Sequence, residues 1–471
     1  MKKRLLCLLL AAAAVFAVGC DGAEKPSIAD VPEYSVVKPL EFDAWLGPKT
    51  SDAALRDYAD CGYTTYHLQA GNFDVTNTRM TDGELNDQLD RIFTKSKEYG
   101  LKVVLATTAV NTSAKSITPF EYTYSRVGKT LEKWKDDPTF YGFMPSDETT
   151  LDKPLVSTVG GLKFMQSAYD RSIDFLRDDY LFFSQKFPGK YFETTLLGIP
   201  NGQDKNMPYF TDSSRSFDEY MDCYYDDLIK YMPVSERVYS HDAYPFSRSN
   251  GVYKYEDRFV GSLEGIAVRA EKAGAKKGMY TQNHHSIINP ESVSYQYFTA
   301  MTYGYTHFTT YCYTDEWGEK QYSTTNAGVK TDNYYYFKAA HEKVKSMEAV
   351  YTNFCDSRVG TMGVTGETKG VKTWSKCTAM SENLPLIRSA KSDHDLLIGA
   401  FTDKAGNYGY MLANQMMPDD KTENTVRIDF KGVNKVAVWA DGKPAETVDA
   451  KGGKFVITLA SGGGAFIVPL A

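Results

Sequence analysis

Residues Thr81–Thr107 read TDGELNDQLDRIFTKSKEYGLKVVLAT, and the order of their parts decides the fold. Thr81 followed three residues later by Glu84 is a capping box, in which hydroxyl and carboxylate satisfy each other's free backbone donors. Leu85, Leu89, Ile92 and Phe93 then recur at helical spacing, giving one apolar face. Gly100 falls where a left-handed C-cap ends a helix, and Leu101–Thr107 follows at once as a short apolar run of strand length. A helix passed directly to a buried strand is half of a βαβ unit.

The same grammar runs outward in both directions. Short strand candidates occur at Phe42–Leu46, Thr64–Gln69, Leu101–Thr107, Phe140–Met144, Phe192–Leu197, Val238–Asp242, Met279–Gln282 and His307–Tyr313. Gly62 precedes the second as Gly100 precedes the third, and helical periodicity fills Ala53–Ala59, Phe259–Ala273, Tyr295–Tyr303 and Tyr334–Val350. Eight such repeats close a barrel more naturally than they extend an open sheet, and no glycine-rich phosphate turn follows the first strand. The expected class is α/β, a (β/α)8 TIM barrel over residues 34–352. Beyond about Asn353 the texture changes to short alternating segments, Leu396–Thr402, Tyr408–Asn414, Val426–Phe430, Lys435–Trp439, Phe455–Leu459 and Ala465–Leu470. Turn pairs such as Asp441-Gly442 and Gly452-Gly453 separate them, so residues 353–471 read as a small all-β sandwich.

The N-terminus carries an address. Lys2, Lys3 and Arg4 precede an apolar run, Leu5–Val18, which is too short to span a bilayer comfortably and reads as a signal peptide. Ala17-Val18-Gly19-Cys20 resembles the lipobox of bacterial lipoproteins, with Ala17 where Leu is usual. That resemblance implies a signal over residues 1–19, acylation of Cys20, and a small, polar tether over residues 20–33. The expected place is the cell envelope, lipid-anchored on the extracytoplasmic or outer surface. Net charge is −7 with no basic cluster, which argues against nucleic acid as a partner. The cysteines beyond Cys20 are Cys61, Cys223, Cys312, Cys355 and Cys377, an odd, scattered set that is no disulfide framework, although Cys355 and Cys377 are able to pair.

Functional residues of such barrels stand at the C-terminal ends of the strands, so the strand pattern doubles as a site map. It places Trp45, Gln69, Asp147 with Glu148, and Asp242 with Tyr244 at the mouth. Gln282, Asn283, His284 and His285 follow strand seven, and Tyr313, Asp315, Glu316 and Trp317 follow strand eight. The stretch Asp136-Asp137-Pro138-Thr139-Phe140-Tyr141-Gly142-Phe143-Met144-Pro145-Ser146-Asp147-Glu148 resembles the entry and end of strand four in many (β/α)8 glycoside hydrolases. Asp242-Ala243-Tyr244-Pro245 and the aromatic run Thr309–Trp317 resemble the same superfamily, without fixing a family within it. The resemblance implies that Glu148 is the general acid/base. Physical chemistry favours the same residue, because like charge at Asp147 and partial desolvation raise a carboxyl's hold on its proton. The same pair also reads as helix N-terminal acids stabilised by a macrodipole.

One departure stands out. Retaining enzymes of this architecture take a nucleophilic Glu from the end of strand seven, and this chain has amides and imidazoles there. Asp242, Asp315 or Glu316 is then the candidate second carboxylate, acting on a water in an inverting reaction, where the two acids stand roughly 6.5 to 9.5 Å apart. The alternative is a barrel that binds glycan without cutting it. Trp45, Tyr244, Tyr313 and Trp317 are candidate sugar-stacking rings, and Gln69, Asp147, Gln282 and His284 candidate hydrogen-bonding groups. Asp242 with His284 and His285 has metal-ligand chemistry, but adjacent histidines on a strand point to opposite faces, so no metal or cofactor is expected. Peptidase and esterase readings fail for want of a nucleophile elbow or an H-E-x-x-H helix.

Overall fold

The computed structural model describes residues 31–69, 71–106, 118–147, 156–159, 162–165, 173–197, 217–249, 252–256, 258–284, 288–315, 322–367, 377–416, 418, 421–440 and 442–470. The leader and Cys20 lie outside these residues, and no described helix is long and apolar enough to cross a membrane.

Eight parallel strands form the first layer: β1 (Glu41–Trp45), β2 (Thr65–Leu68), β3 (Lys102–Ala106), β4 (Phe140–Ser146), β5 (Tyr191–Leu197), β6 (Val238–Asp242), β7 (Lys276–Gln282) and β8 (His307–Tyr311). Their order runs β1-β8-β7-β6-β5-β4-β3-β2, with Glu41 in register with His307 at the β1–β8 junction. The ring closes where the Thr64 N–H donates to the Phe42 carbonyl at 2.8 Å. Helices α1 (Asp52–Asp60), α2 (Asp82–Glu98), α3 (Pro119–Trp134), α4 (Ile173–Lys186), α5 (Phe217–Asp227), α6 (Arg258–Ala273), α7 (Pro290–Met301) and α8 (Asp332–Ser346) separate or follow the strands. The (β/α)8 expectation is met.

The local signals account for the boundaries. Thr81 Oγ accepts from Glu84 N at 3.2 Å while Glu84 Oε2 accepts from Thr81 N at 2.8 Å, so the capping box is formed in full. Gly100 has φ +68°, the left-handed conformation that lets α2 stop and β3 begin. Strand β7 starts three residues before the expected Met279, because Lys276 and Lys277 hide it. Lys277 is buried and bonds Glu271 at 2.9 Å, so a charge that reads as loop is a paired residue of the barrel wall.

A short helix, α9 (Glu348–Phe354), leads into the second layer. There β9 (Arg358–Val364), β10 (Ile387–Ser392), β11 (Leu396–Thr402), β12 (Tyr408–Asn414), β13 (Asn424–Phe430), β14 (Lys435–Ala440), β15 (Glu446–Asp449), β16 (Lys454–Leu459) and β17 (Gly464–Leu470) are antiparallel. They make a six-stranded sheet, β9-β11-β12-β17-β14-β15, facing a three-stranded one, β10-β13-β16. The all-β sandwich is therefore present, with β9, β10 and β15 added to the strands expected from sequence.

The six-stranded sheet is buried on both faces. Leu396, Ile398, Leu412 and Ile467 pack toward the smaller sheet, whereas Leu397, Phe401, Met411 and Phe466 join the core beneath the barrel helices. This double burial explains why β11 reads LLIGAFT, apolar at consecutive positions. Gly399 is required at that contact, since a Cβ there would stand 2.0 Å from the Thr302 carbonyl oxygen. Polar ties complete the junction: Arg358 grips Glu271 through two bonds of 2.7 and 2.9 Å, and Gln415 accepts from the Tyr295 hydroxyl at 2.8 Å.

Candidate active site at the barrel mouth

Strands β6, β7 and β8 end side by side and deliver three rings to the mouth. Tyr244 stands two residues beyond β6 and His284 two residues beyond β7, and Tyr311 closes β8. The His284 ring meets Tyr244 edge-on at 4.8 Å and Tyr311 edge-on at 5.4 Å, and the two tyrosines lie 5.9 Å apart. All three are half-buried, so they form one continuous aromatic wall with part of each ring reachable. Edge-to-face packing of this kind holds rings rigidly at low entropic cost.

Two acids accompany the wall. Asp242 ends β6, and Asp147 follows β4 and is 8% exposed. Burial holds the Tyr244 hydroxyl well above its ordinary range, and the charge of Asp242 adds to this, with Asp147 contributing after Tyr311 and Cys312. The Tyr280 hydroxyl is held up by burial and then by Asp147. Tyr280 forms the floor with Trp45, whose ring is 6.3 Å away. The Tyr280 hydroxyl in turn accepts from Thr195 Oγ at 2.9 Å.

The structure thus gathers Asp147, Asp242, Tyr244 and His284 into one neighbourhood, and gives other candidates different work. Trp45 is only 9% exposed and serves as floor, not as an open platform. Gln69 accepts from Leu46 N at 2.6 Å, which fixes the turn after β1, where Leu46 has φ +46°. Gln282 clasps the backbone of Phe246, accepting from its N–H at 3.0 Å and donating to its carbonyl at 2.9 Å. Asn283 donates to the Cys312 carbonyl at 2.6 Å and to Ser323 Oγ at 2.9 Å. The amides after β7 therefore lash the neighbouring loops together, which explains residues of that type where a nucleophile was sought.

Tyr313 is corrected outright. Its ring is 1% exposed and packs edge-on against Tyr58 of α1 at 4.9 Å, outside the barrel. Side chains alternate along a strand, and the inward positions of β8 are His307, Thr309 and Tyr311, so the ring that reaches the mouth is Tyr311. Asp315 lies in a two-residue strand paired with Thr324–Thr325 and is 2% exposed, too enclosed to meet a substrate water as it stands. Glu148, His285, Glu316 and Trp317 lie outside the described residues.

Below the floor, the barrel interior carries polar groups that sequence reasoning missed. Asp43 Oδ2 accepts from His307 Nε2 at 2.6 Å and lies 3.3 Å from His67 Nε2. His307 Nδ1 meets the Tyr191 hydroxyl at 3.0 Å, and that hydroxyl bonds Glu193. Burial opposes charge on His307, yet Asp43, Glu193 and Glu41 push its pKa up to about 9. Burial likewise opposes charge on Asp43, and the two imidazoles hold it below the usual carboxylate range. Burial keeps Glu193 above its ordinary value against the pull of His307 and His67. The signal was legible: in EFDAW and HFTTY, acids and histidine occupy the inward parity.

Among the described residues no group of three or more His, Cys, Asp or Glu side chains is arranged to hold a metal ion. Cys355 and Cys377, able to pair on sequence grounds, are unbridged. No family model matches the chain, and no curated protein matches it significantly. Solved structures do align with it along most of its length. An endoxylanase of glycoside hydrolase family 30 from Clostridium papyrosolvens aligns at 13% identity over 93% of this chain and 98% of its own, with a TM-score of 0.45. A protein described as a glycoside hydrolase aligns at 13% identity over 93% of each chain, with a TM-score of 0.47. A family 44 xyloglucanase from Paenibacillus polymyxa aligns at 12% identity over 94% and 99%, with a TM-score of 0.43.

Proposed function

We propose that this chain hydrolyses glycosidic bonds of an oligo- or polysaccharide outside the cytoplasm, held at a membrane surface by lipid on Cys20. The observation that carries the reading is the grouping at the mouth. Asp147 directly follows the strand entered by the glycosidase-like D-P-x-x-x-G-F motif, and Asp242 and a three-ring wall stand over the same floor. In this reading Glu148 protonates the departing glycosidic oxygen. The like charge of Asp147 next to it favours retention of that proton. Asp242 takes a proton from the attacking water, and Tyr244 and Tyr311 stack on the apolar faces of the sugar. Glu316 is the reserve candidate for the second carboxylate.

The clasps made by Gln282 and Asn283 favour a water nucleophile over an enzyme-bound one, because no acid occupies the end of β7. The same absence keeps a second reading in play, a barrel that captures glycan without cleaving it. Incubation with a panel of plant and host glycans, with product stereochemistry followed by NMR, separates them. Hydrolysis with inversion, abolished in Glu148→Gln while ligand binding persists, is expected. Saturable binding with no product from any glycan bound sinks the hydrolytic reading in favour of capture.

A further inference from the structure

Barrels of this architecture are usually filled by layers of branched apolar side chains. Here the middle layer is a hydrogen-bonded chain of four side chains, Glu193, Tyr191, His307 and Asp43, with His67 Nε2 3.3 Å from the Asp43 carboxylate, the five drawn from β5, β8, β1 and β2. None is more than 5% exposed. Counting hydrogens along the chain limits what it can be. His307 Nε2 carries a proton toward Asp43 in every arrangement, so only Nδ1, the Tyr191 hydroxyl and the Glu193 carboxyl have freedom. If Glu193 is ionised, Tyr191 donates to it, and the tyrosine oxygen then accepts from an Nδ1–H, which makes His307 an imidazolium. If Glu193 is protonated, it donates to the tyrosine oxygen, and the tyrosine hydrogen turns to a bare Nδ1, which makes His307 neutral. The two arrangements hold the same number of protons.

We propose that Glu193, Tyr191 and His307 form a proton-sharing relay that stores one mobile proton directly beneath the mouth, with Asp43 as its fixed counter-charge. The exchange is balanced: the Glu193 O–H bond breaks as the tyrosine oxygen gains that hydrogen, and the tyrosine's own O–H breaks as Nδ1–H forms. The electron pairs stay on their heteroatoms, and no co-reactant is consumed. Sharing is favoured because separated charges in a low-dielectric interior are expensive, and the relay allows a neutral–neutral arrangement whenever the surroundings demand it.

Every packed element contributes to the field the relay feels. From below, Glu41 of β1 lies 3.5 Å from His307 Nδ1, and it is itself held by Lys102 of β3 at 3.1 Å, Lys276 of β7 at 4.0 Å and the Tyr141 hydroxyl of β4. From the side, the Ser240 hydroxyl of β6 favours the charged form of Glu193, and His67 of β2 lies 3.3 Å from Asp43. From above, Tyr280 of β7 lies within the field of both Glu193 and Asp147, which links the relay to the mouth. Moving the proton from Glu193 to His307 leaves a negative charge on Glu193, whose field reaches Tyr280. The relay is thus a positioning device for charge at the mouth, and it stands whether or not the mouth cleaves glycans.

The test uses the full chain labelled with 15N-histidine, with His307 assigned by its loss in His307→Gln, and follows ring nitrogen shifts from about pH 5.5 to 10. The expected result is Nε2 at its protonated limit and Nδ1 at an intermediate shift between the two limits. In Glu193→Gln, which removes the negative charge and can neither take up nor give back the shared proton, Nδ1 should move to its unprotonated limit and the His307 titration should fall by at least tenfold in proton affinity. In Tyr191→Phe, Nδ1 should likewise leave the intermediate position. The Gln variant is nearly isosteric and keeps the test open if the Phe variant fails to fold. Nδ1 at either limit throughout in the wild type, unmoved by Glu193→Gln, overturns the relay.

Discussion

Asp43→Asn is the perturbation most strongly constrained by the geometry. Asp43 is 0% exposed, accepts from His307 Nε2 at 2.6 Å and lies 3.3 Å from His67 Nε2. The amide preserves shape and removes charge, so a protonated His307 keeps its burial and loses its nearest anion. Removing one partner of a buried pair typically costs about 3 to 5 kcal/mol. A separate route gives a similar size. Holding the His307 proton up to about 9 in place of its ordinary 6.5 corresponds to about 3 kcal/mol of folded-state stability. The sign follows from the direction of the shift. The folded value is raised, so this stability is complete below about pH 6.5 and is lost as pH climbs through about 9. Urea unfolding of both proteins at about pH 6 and about pH 10 should therefore show a gap of about 3 kcal/mol at the lower pH that shrinks to about 1 kcal/mol or less at the higher. An equal gap at both values would refute the claim that Asp43 acts by sustaining a charged His307.

Four further outcomes follow from the mouth and the junction. Tyr311→Ala should weaken oligosaccharide binding by about five- to tenfold, as expected for loss of a stacking ring worth about 1 to 1.5 kcal/mol. Tyr313→Phe should leave binding unchanged and stability within about 0.5 kcal/mol, since its buried hydroxyl has no hydrogen-bond partner among the described residues. Calorimetric titration of both variants against one glycan checks the pair. Gln282→Ala strips partners from a buried backbone N–H and carbonyl at Phe246 and should lower stability by about 1 to 3 kcal/mol, with weakened glycan affinity because Tyr244 loses its anchored loop. Arg358→Met should lower the thermal midpoint by the equivalent of about 2 kcal/mol through loss of the two-bond grip on Glu271.

The repeat grammar was readable because each helix announces itself through its cap and each strand through its burial. Thr81 with Glu84 and Gly100 before Leu101 behave in three dimensions as their chemistry requires. Reading failed where tertiary pairing overrides composition. Lys276 and Lys277 belong to a strand because Glu41, Glu271 and the barrel wall receive them, and no local pattern records those partners. The polar interior was missed for a related reason: Asp43, His67 and His307 sit inside segments taken as apolar, Glu41 lies just before one, and only their common parity betrays a shared destination. Confusing Tyr313 with Tyr311, which share a parity, was an error of strand length: β8 stops at Tyr311 and the chain then turns its next tyrosine toward α1. Strands β10 and β15 carry exposed polar residues along their length, and β9, RVGTMGV, is interrupted by two glycines, so their alternation is weak. The identity of a clasping amide, as at Gln282, depends on a loop brought from elsewhere in the chain and lay beyond any reading of spacing.

The sheet that touches both the barrel helices and the smaller sheet has a practical consequence for anyone dividing this protein. A cut between α9 and β9 would leave Phe298, Tyr351 and Phe354 bare on one fragment and Leu397, Phe401, Met411 and Phe466 bare on the other. Each fragment would carry a wide oily scar prone to self-association. The C-terminal region is therefore poorly suited to transplantation as a detachable accessory, and swapped or truncated versions should be designed with the helices that cover its outer face kept in place.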